Sequence, residues 1–150
     1  MMLKMISKMN EPIGVCIKDM FSKTQANMKL LEKIISYQIF DIERPEMKTM
    51  NDLTIYAENT RSLTFYLSLH LLGIDNTDAY SAASHLGRCY GIMDVLRKMQ
   101  YYLIQHRHYI PTDLLLKHNL YFDTIYNPQK ESLVRDEFYD VVLDIAAYAK

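Results

Sequence analysis

Ala79, Ala83, Gly87 and Gly91 recur at every fourth residue. In a helix such positions stack along one face, and side chains this small give that face almost no bulk of its own. Each glycine weakens a helix by roughly 1 kcal/mol relative to alanine, so a close contact has to offset the loss. The row predicts a helix over residues 78–99 with something lying tight against it. Two occupants are open at this stage: the backbone of another helix, or a flat ligand in a groove.

The rest of the chain offers little to interrupt helices. Four glycines and four prolines are spread over 150 residues, too few for a fold rich in turns. A composition of 49% hydrophobic and 23% charged residues is that of a globular chain, and this length suffices for one domain with a real core. Net charge is −1, so no overall field draws in nucleic acid, and none is expected as a partner. Cys16 and Cys89 lie far apart and imply no disulfide framework, in keeping with a reducing compartment. The most apolar run, residues 63–74, is interrupted by Thr64, Ser68 and His70 and is shorter than the roughly 20 residues of a membrane span. Residues 1–10 carry two lysines and no acid before Glu11 and read as a flexible tail, with no presequence visible. Residues 11–150 read as one helical domain.

Helical periodicity and punctuation place its elements. Pro12 suits the first turn of a helix carrying Ile13, Ile17, Met20 and Phe21. The pattern breaks at residues 22–25, and a second helix fits 26–40, with Leu30, Leu31, Ile34, Ile35 and Ile39 on one side. Residues 41–50 read as a loop. The longest helix spans 51–72, with Leu53, Tyr56, Ala57, Thr60, Leu63, Thr64, Leu67 and Leu71 on one face. Gly73 is its stop, and Asp75, Asn76 and Thr77 are capping candidates for the next helix. Residues 103–110 read as a loop, and Pro111 opens a short helix ending near 118–120. Asn127 and Pro128 signal the last helix, with Glu131 near its positive end and Val134, Phe138, Val141, Ile145 and Tyr148 along one face.

Several residues could carry chemistry. His85 and Cys89 have the helical spacing of two zinc ligands, but that is half a site, and they read instead as a buried histidine and a buried thiol. Arg97, Lys98, His106, Arg107 and His108 form a basic cluster that could hold an anionic head group without metal. The alternative is a solvated loop whose charges pair with Asp94 or Asp113. No nucleophile sits in a recognisable setting, and no glycine-rich phosphate loop exists.

Residues 86–113, LGRCYGIMDVLRKMQYYLIQHRHYIPTD, strongly resemble the second acidic motif region of the squalene/phytoene synthase family. There Leu-Gly-x-Ala-Phe-Gln-Leu-Thr-Asn-Ile-Leu-Arg-Asp-x-x-x-Asp is followed, after a short basic loop, by Arg-x-Tyr-Leu-Pro-x-Asp. Leu86, Gly87, Leu96 and Arg97 match the first part. Arg107, Tyr109, Pro111 and Asp113 match the second at the same separation. The two magnesium-binding aspartates do not match: Lys98 and Tyr102 stand in their places, and Asp94 occupies the asparagine position. The helix that carries Tyr-x-x-x-x-Ala-Gly-x-Val in the family has Tyr56 here, but Arg61 and Ser62 replace Ala-Gly, which narrows the lumen that small side chains keep open. The resemblance implies an all-α, isoprenoid-synthase-like bundle of five to six helices, partial at both ends, since the family's first acidic motif and its last helices lie outside the matched stretch.

Within the family the chain is most similar to the mitochondrial complex I assembly factor branch, through residues 56–60, 72–74, 82–87 and 135–140. That resemblance implies a non-catalytic role on the matrix face of the inner membrane. Its partners would be complex I subunits or other assembly factors, with peripheral contact to membrane lipid and no cofactor or metal. A lipid or prenyl-diphosphate binding module is the alternative, and an active prenyl transferase a further one. It also implies that faces such as Leu63–Leu67–Leu71 and Val134–Phe138–Val141 lack part of the cover that complete bundles give them.

Overall fold

Where the sequence caps a helix, the backbone starts one. Thr49 accepts from the Asp52 amide, while the Asp52 carboxylate accepts from the amides of Thr49 (2.9 Å) and Lys48 (3.1 Å), a reciprocal capping box. Asn76 does the same work at the next start, its side-chain oxygen taking the amides of Asp78 (2.8 Å) and Ala79 (3.1 Å). Between them Gly73, at φ 69°, closes a helix end through Ile74 N–H to Leu69 O, a turn that L side chains rarely adopt.

The structure is a computed structural model and describes residues 11–23, 28–43, 46–126 and 135–149. Among these the helices are α1 Pro12–Lys23, α2 Met28–Ile42, α3 Met50–Ala57, α4 Leu63–Leu71, α5 Thr77–Arg97, α6 Met99–Ile104, α7 Thr112–Lys117, α8 Phe122–Ile125 and α9 Arg135–Ala147, with no strand among the described residues. A π-helical turn, Glu58–Ser62, joins α3 to α4.

Several expectations change. The predicted helix over 51–72 is two α-helices around that π-turn, where Thr60 Oγ1 and Asn59 Nδ2 bond back to the carbonyls of Tyr56 and Ile55, both at 2.8 Å. Such back-bonding favours departures from regular α-helix. The predicted loop over 103–110 begins later, because α6 runs to Ile104 and packs Met99, Tyr102 and Leu103 on the core. His106 ends it at φ 51°, with Arg107 N–H reaching back to Tyr102 O at 2.8 Å. The short helix α8 carried no strong sequence signal. Asn127, Pro128, Glu131 and Val134 lie outside the described residues. In α9, Phe138, Val141 and Ile145 face the core, whereas Tyr148 is exposed.

The core gathers Leu53 and Ala57 of α3, Ile92 and Val95 of α5, Leu115 of α7 and Ile145 of α9. Leu63 and Val141 are buried, so the two faces expected to lack cover are covered at those points. Apolar surface stays open on several elements, Ile13, Ile42, Leu72 and Leu143 among it; on α5, Leu86, Tyr90 and Met93 are 55, 43 and 39% exposed. Helix α2 lies over the π-turn and α4 without burying any residue fully. The Glu46–Lys48 strand-like segment is tied to the 108–113 loop by Met47 N–H to His108 O and by Thr112 and Asp113 N–H to the carbonyls of Met47 and Lys48.

The small-residue row faces backbone. A Cβ on Gly87 would lie 2.6 Å from Ser62 N, and one on Gly91 would lie 2.6 Å from Ala57 Cβ and 2.8 Å from its Cα. Ala83 is buried beside them, and Ala79, at the start of the row, is partly exposed. Gly87→Ala recovers about 1 kcal/mol of helix propensity, against overpacking that typically costs about 1–3 kcal/mol where the neighbour is backbone and cannot step aside. The thermal unfolding midpoint followed by circular dichroism is therefore expected to fall for Gly87→Ala and to fall further for Gly87→Leu. A midpoint that holds or rises in Gly87→Ala contradicts this packing.

Candidate functional site

The glycine contact brings the π-turn so near to α5 that side chains flanking it meet. Asp94 lies about two turns beyond Gly87 on nearly the same face. Its carboxylate is hydrogen-bonded by Arg61, from the π-turn, and by Lys98 Nζ at 2.9 Å. Arg61 also lies over the ring of Tyr90, 5.6 Å from its centroid. Burial works against ionisation of Asp94, but the hydrogen bonds and charges of Lys98 and Arg61 outweigh it and hold the carboxyl below its ordinary range. Ser62 Oγ donates to Ser84 O (3.1 Å), and Ser84 Oγ donates to Glu58 (3.2 Å), so the polar groups at this crossing are satisfied.

A second network ties α2 to the loop that follows α6. Asp41, in the last turn of α2, accepts from the Tyr109 hydroxyl and from Arg107 Nη1 (3.4 Å), and Arg107 also donates to Tyr109 (3.0 Å). The Tyr109 ring packs between Tyr102 (4.4 Å between centroids) and Tyr56 (5.2 Å). Burial, then the bond to Asp41 and its charge, push the Tyr109 hydroxyl up to about 12. Burial first and the neighbouring Tyr109 and Asp41 next raise Tyr56 as well, and burial raises Tyr102. These phenols stay protonated at neutral pH, and Tyr109 donates its proton to Asp41. Beside them a cavity of about 490 Å³ opens between α2 and α3, walled by Tyr37, Phe40, Ile55 and Tyr56.

The expected basic cluster is divided. Lys98 is bound to Asp94 and Arg107 to Asp41. His108 stacks on Phe122 at 4.1 Å, and His106 meets the edge of Tyr126 at 4.6 Å. Arg97 is exposed. Four of the five side chains make four separate contacts and Arg97 makes none, because α6 stands between Lys98 and the loop that carries the other three. Asp113 supplies a bond to the Leu114 amide (2.8 Å) rather than a partner for them. His85 is exposed and Cys89 half-buried, so neither is the fully buried group expected. Among the described residues no three His, Cys, Asp or Glu side chains come together to hold a metal. The residues at the degenerate motif do not fit magnesium: Lys98 brings a cation, Tyr102 a protonated phenol, and Asp94 is already matched by two positive charges. Asp41 was missed in the sequence, where it reads as loop. No local signal could pair it with residues 66 and 68 positions away.

The chain belongs to the squalene/phytoene synthase family, whose profile matches residues 4–150, and its architecture is the all-helical, isoprenoid-synthase-like fold of that family. Among curated proteins it is similar to the NADH dehydrogenase (ubiquinone) complex I, assembly factor 6, of Bos taurus, at 30% identity over 132 residues, 88% of this chain and 40% of that protein. The Homo sapiens protein of the same name is 27% identical over 132 residues, with the same coverage. The Dictyostelium discoideum homolog is 29% identical over 127 residues, 83% of this chain and 36% of its own length. The chain thus spans about 40% of the length of the first two relatives.

Asp94→Asn removes the charge that Arg61 and Lys98 share. Both partners are partly open to solvent, so screening holds the loss of stability at pH 7 to about 1 kcal/mol. A carboxyl depressed in the folded chain stabilises above its unfolded value, about 3.9, and loses that contribution as pH falls through the lower folded value. Urea unfolding is expected to separate Asp94→Asn from the unaltered chain at pH 7 and to narrow the gap progressively as the pH falls below about 3.9. A gap that does not narrow contradicts the ionic origin.

Proposed function

We propose that this chain is a non-catalytic assembly factor for mitochondrial respiratory complex I, built on a prenyl-synthase scaffold. The observation that carries the reading is Asp94 closed between Arg61 and Lys98. Prenyl coupling needs a diphosphate leaving group neutralised by metal, and the metal needs free carboxylates. Here the one carboxylate at the motif is spent inside the protein, and the π-turn occupies the space beside it. The names of the relatives supply the process.

A scaffold acts through its surface. The outward face of α5, with Leu86, Tyr90 and Met93 exposed, supports docking to complex I subunits or to other assembly factors, since aromatic and methionine side chains are enriched at such interfaces. No helix among the described residues is long and apolar enough to cross a membrane, which is compatible with peripheral attachment to the matrix face of the inner membrane. The cavity between α2 and α3, with its aromatic wall, favours a second reading in which the scaffold holds a lipid or prenyl chain there.

Deletion is expected to lower complex I on native gels and to leave the other respiratory complexes in place. Lys98→Ala is expected to restore it, whereas Met93→Glu, a surface change, is expected to accumulate as folded protein yet fail to rescue. Normal complex I after deletion would sink the role. Magnesium-dependent release of diphosphate from farnesyl or geranylgeranyl diphosphate, above a denatured control, would sink the loss of catalysis.

A further inference from the structure

The cavity of about 490 Å³ between α2 and α3 carries a charge pattern that a hydrocarbon chain does not need. Tyr37 and Phe40, about one turn apart on α2, have ring centroids 6.1 Å apart and planes at 75°, so they form two walls that meet near a right angle. Tyr56 and Ile55 of α3 close the other side. Phe40 is 43% exposed and Ile55 46%, so a ligand reaches these walls from solvent. The face of an aromatic ring carries partial negative charge and attracts a cation placed over it. Among the described residues a cation is found over Tyr90 and none over Tyr37, Phe40 or Tyr56, so these faces are not already capped by the protein's own side chains.

The polar groups at the same cavity have the matching sign. Asp52 uses Oδ2 for the amides of Lys48 (3.1 Å) and Thr49 (2.9 Å), and no bond among the described residues uses its Oδ1. The bond from the Thr49 amide is the largest of the effects that hold its carboxyl below the ordinary range, so the group is charged at neutral pH. Glu46 is exposed and brings a second carboxylate, in no ion pair among the described residues. Ser36 gives its hydroxyl proton to Glu32 O at 2.9 Å and so offers the cavity an acceptor, while the Tyr56 hydroxyl is engaged with Tyr109 and Asp41. Lys48 is the one cation of the lining. Its charge acts on Asp52 without closing to an ion pair. Two carboxylates against one ammonium leave the lining at −1. A diphosphate would meet that excess of negative charge, whereas a cation meets three aromatic rings and two carboxylates.

We infer that this cavity binds an alkylammonium group, such as the trimethylammonium of choline, seated in the Tyr37–Phe40 corner with Glu46 and Asp52 as its counter-charge. A volume of about 490 Å³ falls within the roughly 300–1,000 Å³ of small-molecule sites and leaves room for an apolar body beside the cation. The group belongs either to a free small molecule or to a lipid head. The site shares its cavity with the lipid reading but rests neither on that reading nor on the assembly role: a pocket for a hydrocarbon chain is indifferent to charge, and this one is not.

The test is titration of the 150-residue chain with choline, and with the neutral alcohol in which carbon replaces the choline nitrogen, at constant ionic strength. The ring resonances of Tyr37 and Phe40 report the binding. Choline is expected to shift them to saturation with an affinity roughly tenfold above that of the neutral alcohol, in line with what a cation over aromatic rings contributes. Phe40→Leu and Glu46→Gln, both at exposed positions, are each expected to weaken choline several-fold, Lys48→Met to strengthen it, and Arg97→Gln to leave it unchanged. Should Phe40→Leu not fold, Glu46→Gln and the neutral alcohol carry the test. Vesicles of phosphatidylcholine, compared with phosphatidylglycerol at matched lipid concentration, separate a lipid head from a free cation: a response to phosphatidylcholine vesicles alone assigns the group to lipid, and a response to free choline assigns it to a soluble molecule. Equal binding of choline and the neutral alcohol overturns the inference and leaves the lipid reading in place. No saturable shift with choline or with phosphatidylcholine overturns it as well, as does binding that Lys48→Met weakens.

Discussion

The distance between α5 and the α3–π-turn–α4 rod is set by the absence of two side chains. At Gly87 and Gly91 the helix lies directly on Ser62 and Ala57, and every interaction of consequence at the crossing depends on that separation. Arg61 reaches Asp94 because the rods are this close, and Ser62, fully buried, finds Ser84 O for the same reason. Two helical glycines are a local weakness. They persist in a stable helix because dispersion contacts along the crossing, each small, are gathered in number where backbones touch.

That closeness also decides the electrostatics. At this crossing Arg61 reaches Asp94 from the π-turn, and Lys98 reaches it from just beyond the end of α5. A partly buried carboxylate with two cations nearby is neutralised from within, so a divalent ion would have to displace both before it gained a ligand. The Asp41–Arg107–Tyr109 group fastens the end of α2 to the loop that follows α6. Together the two networks brace elements far apart in sequence.

The sequence shows which helices exist more clearly than where they end or what their charges do. The α5 row is legible because small residues at every fourth position mean little except close approach, and Gly73 and Asn76 mark the end of α4 and the start of α5 through well-defined cap chemistry. The π-turn is not legible: it depends on where Thr60 and Asn59 place their side-chain bonds, and a regular period reads straight through it. The continuation of α6 to Ile104 is hidden in the same way, because Tyr101, Tyr102 and Leu103 form a run without helical alternation, and only packing on the core makes it a helix. Lys98 and Tyr102 are readable as departures from a metal motif. Their actual partners are not, since Arg61 lies 33 residues from Asp94 along the chain and nothing local couples them.

Helix α5 is held in place by more than its Asp94 end. It has no single apolar stripe. One face carries glycines against the π-turn, a second carries Ile92 and Val95 into the core with Arg88 at its edge, and a third presents Leu86, Tyr90 and Met93 outward. A helix that contacts its surroundings on several sides is fixed by burial, so its position does not depend on any ligand at the Asp94 end. A substitution there alters one end of one face, and the contacts on the remaining faces keep the helix in place.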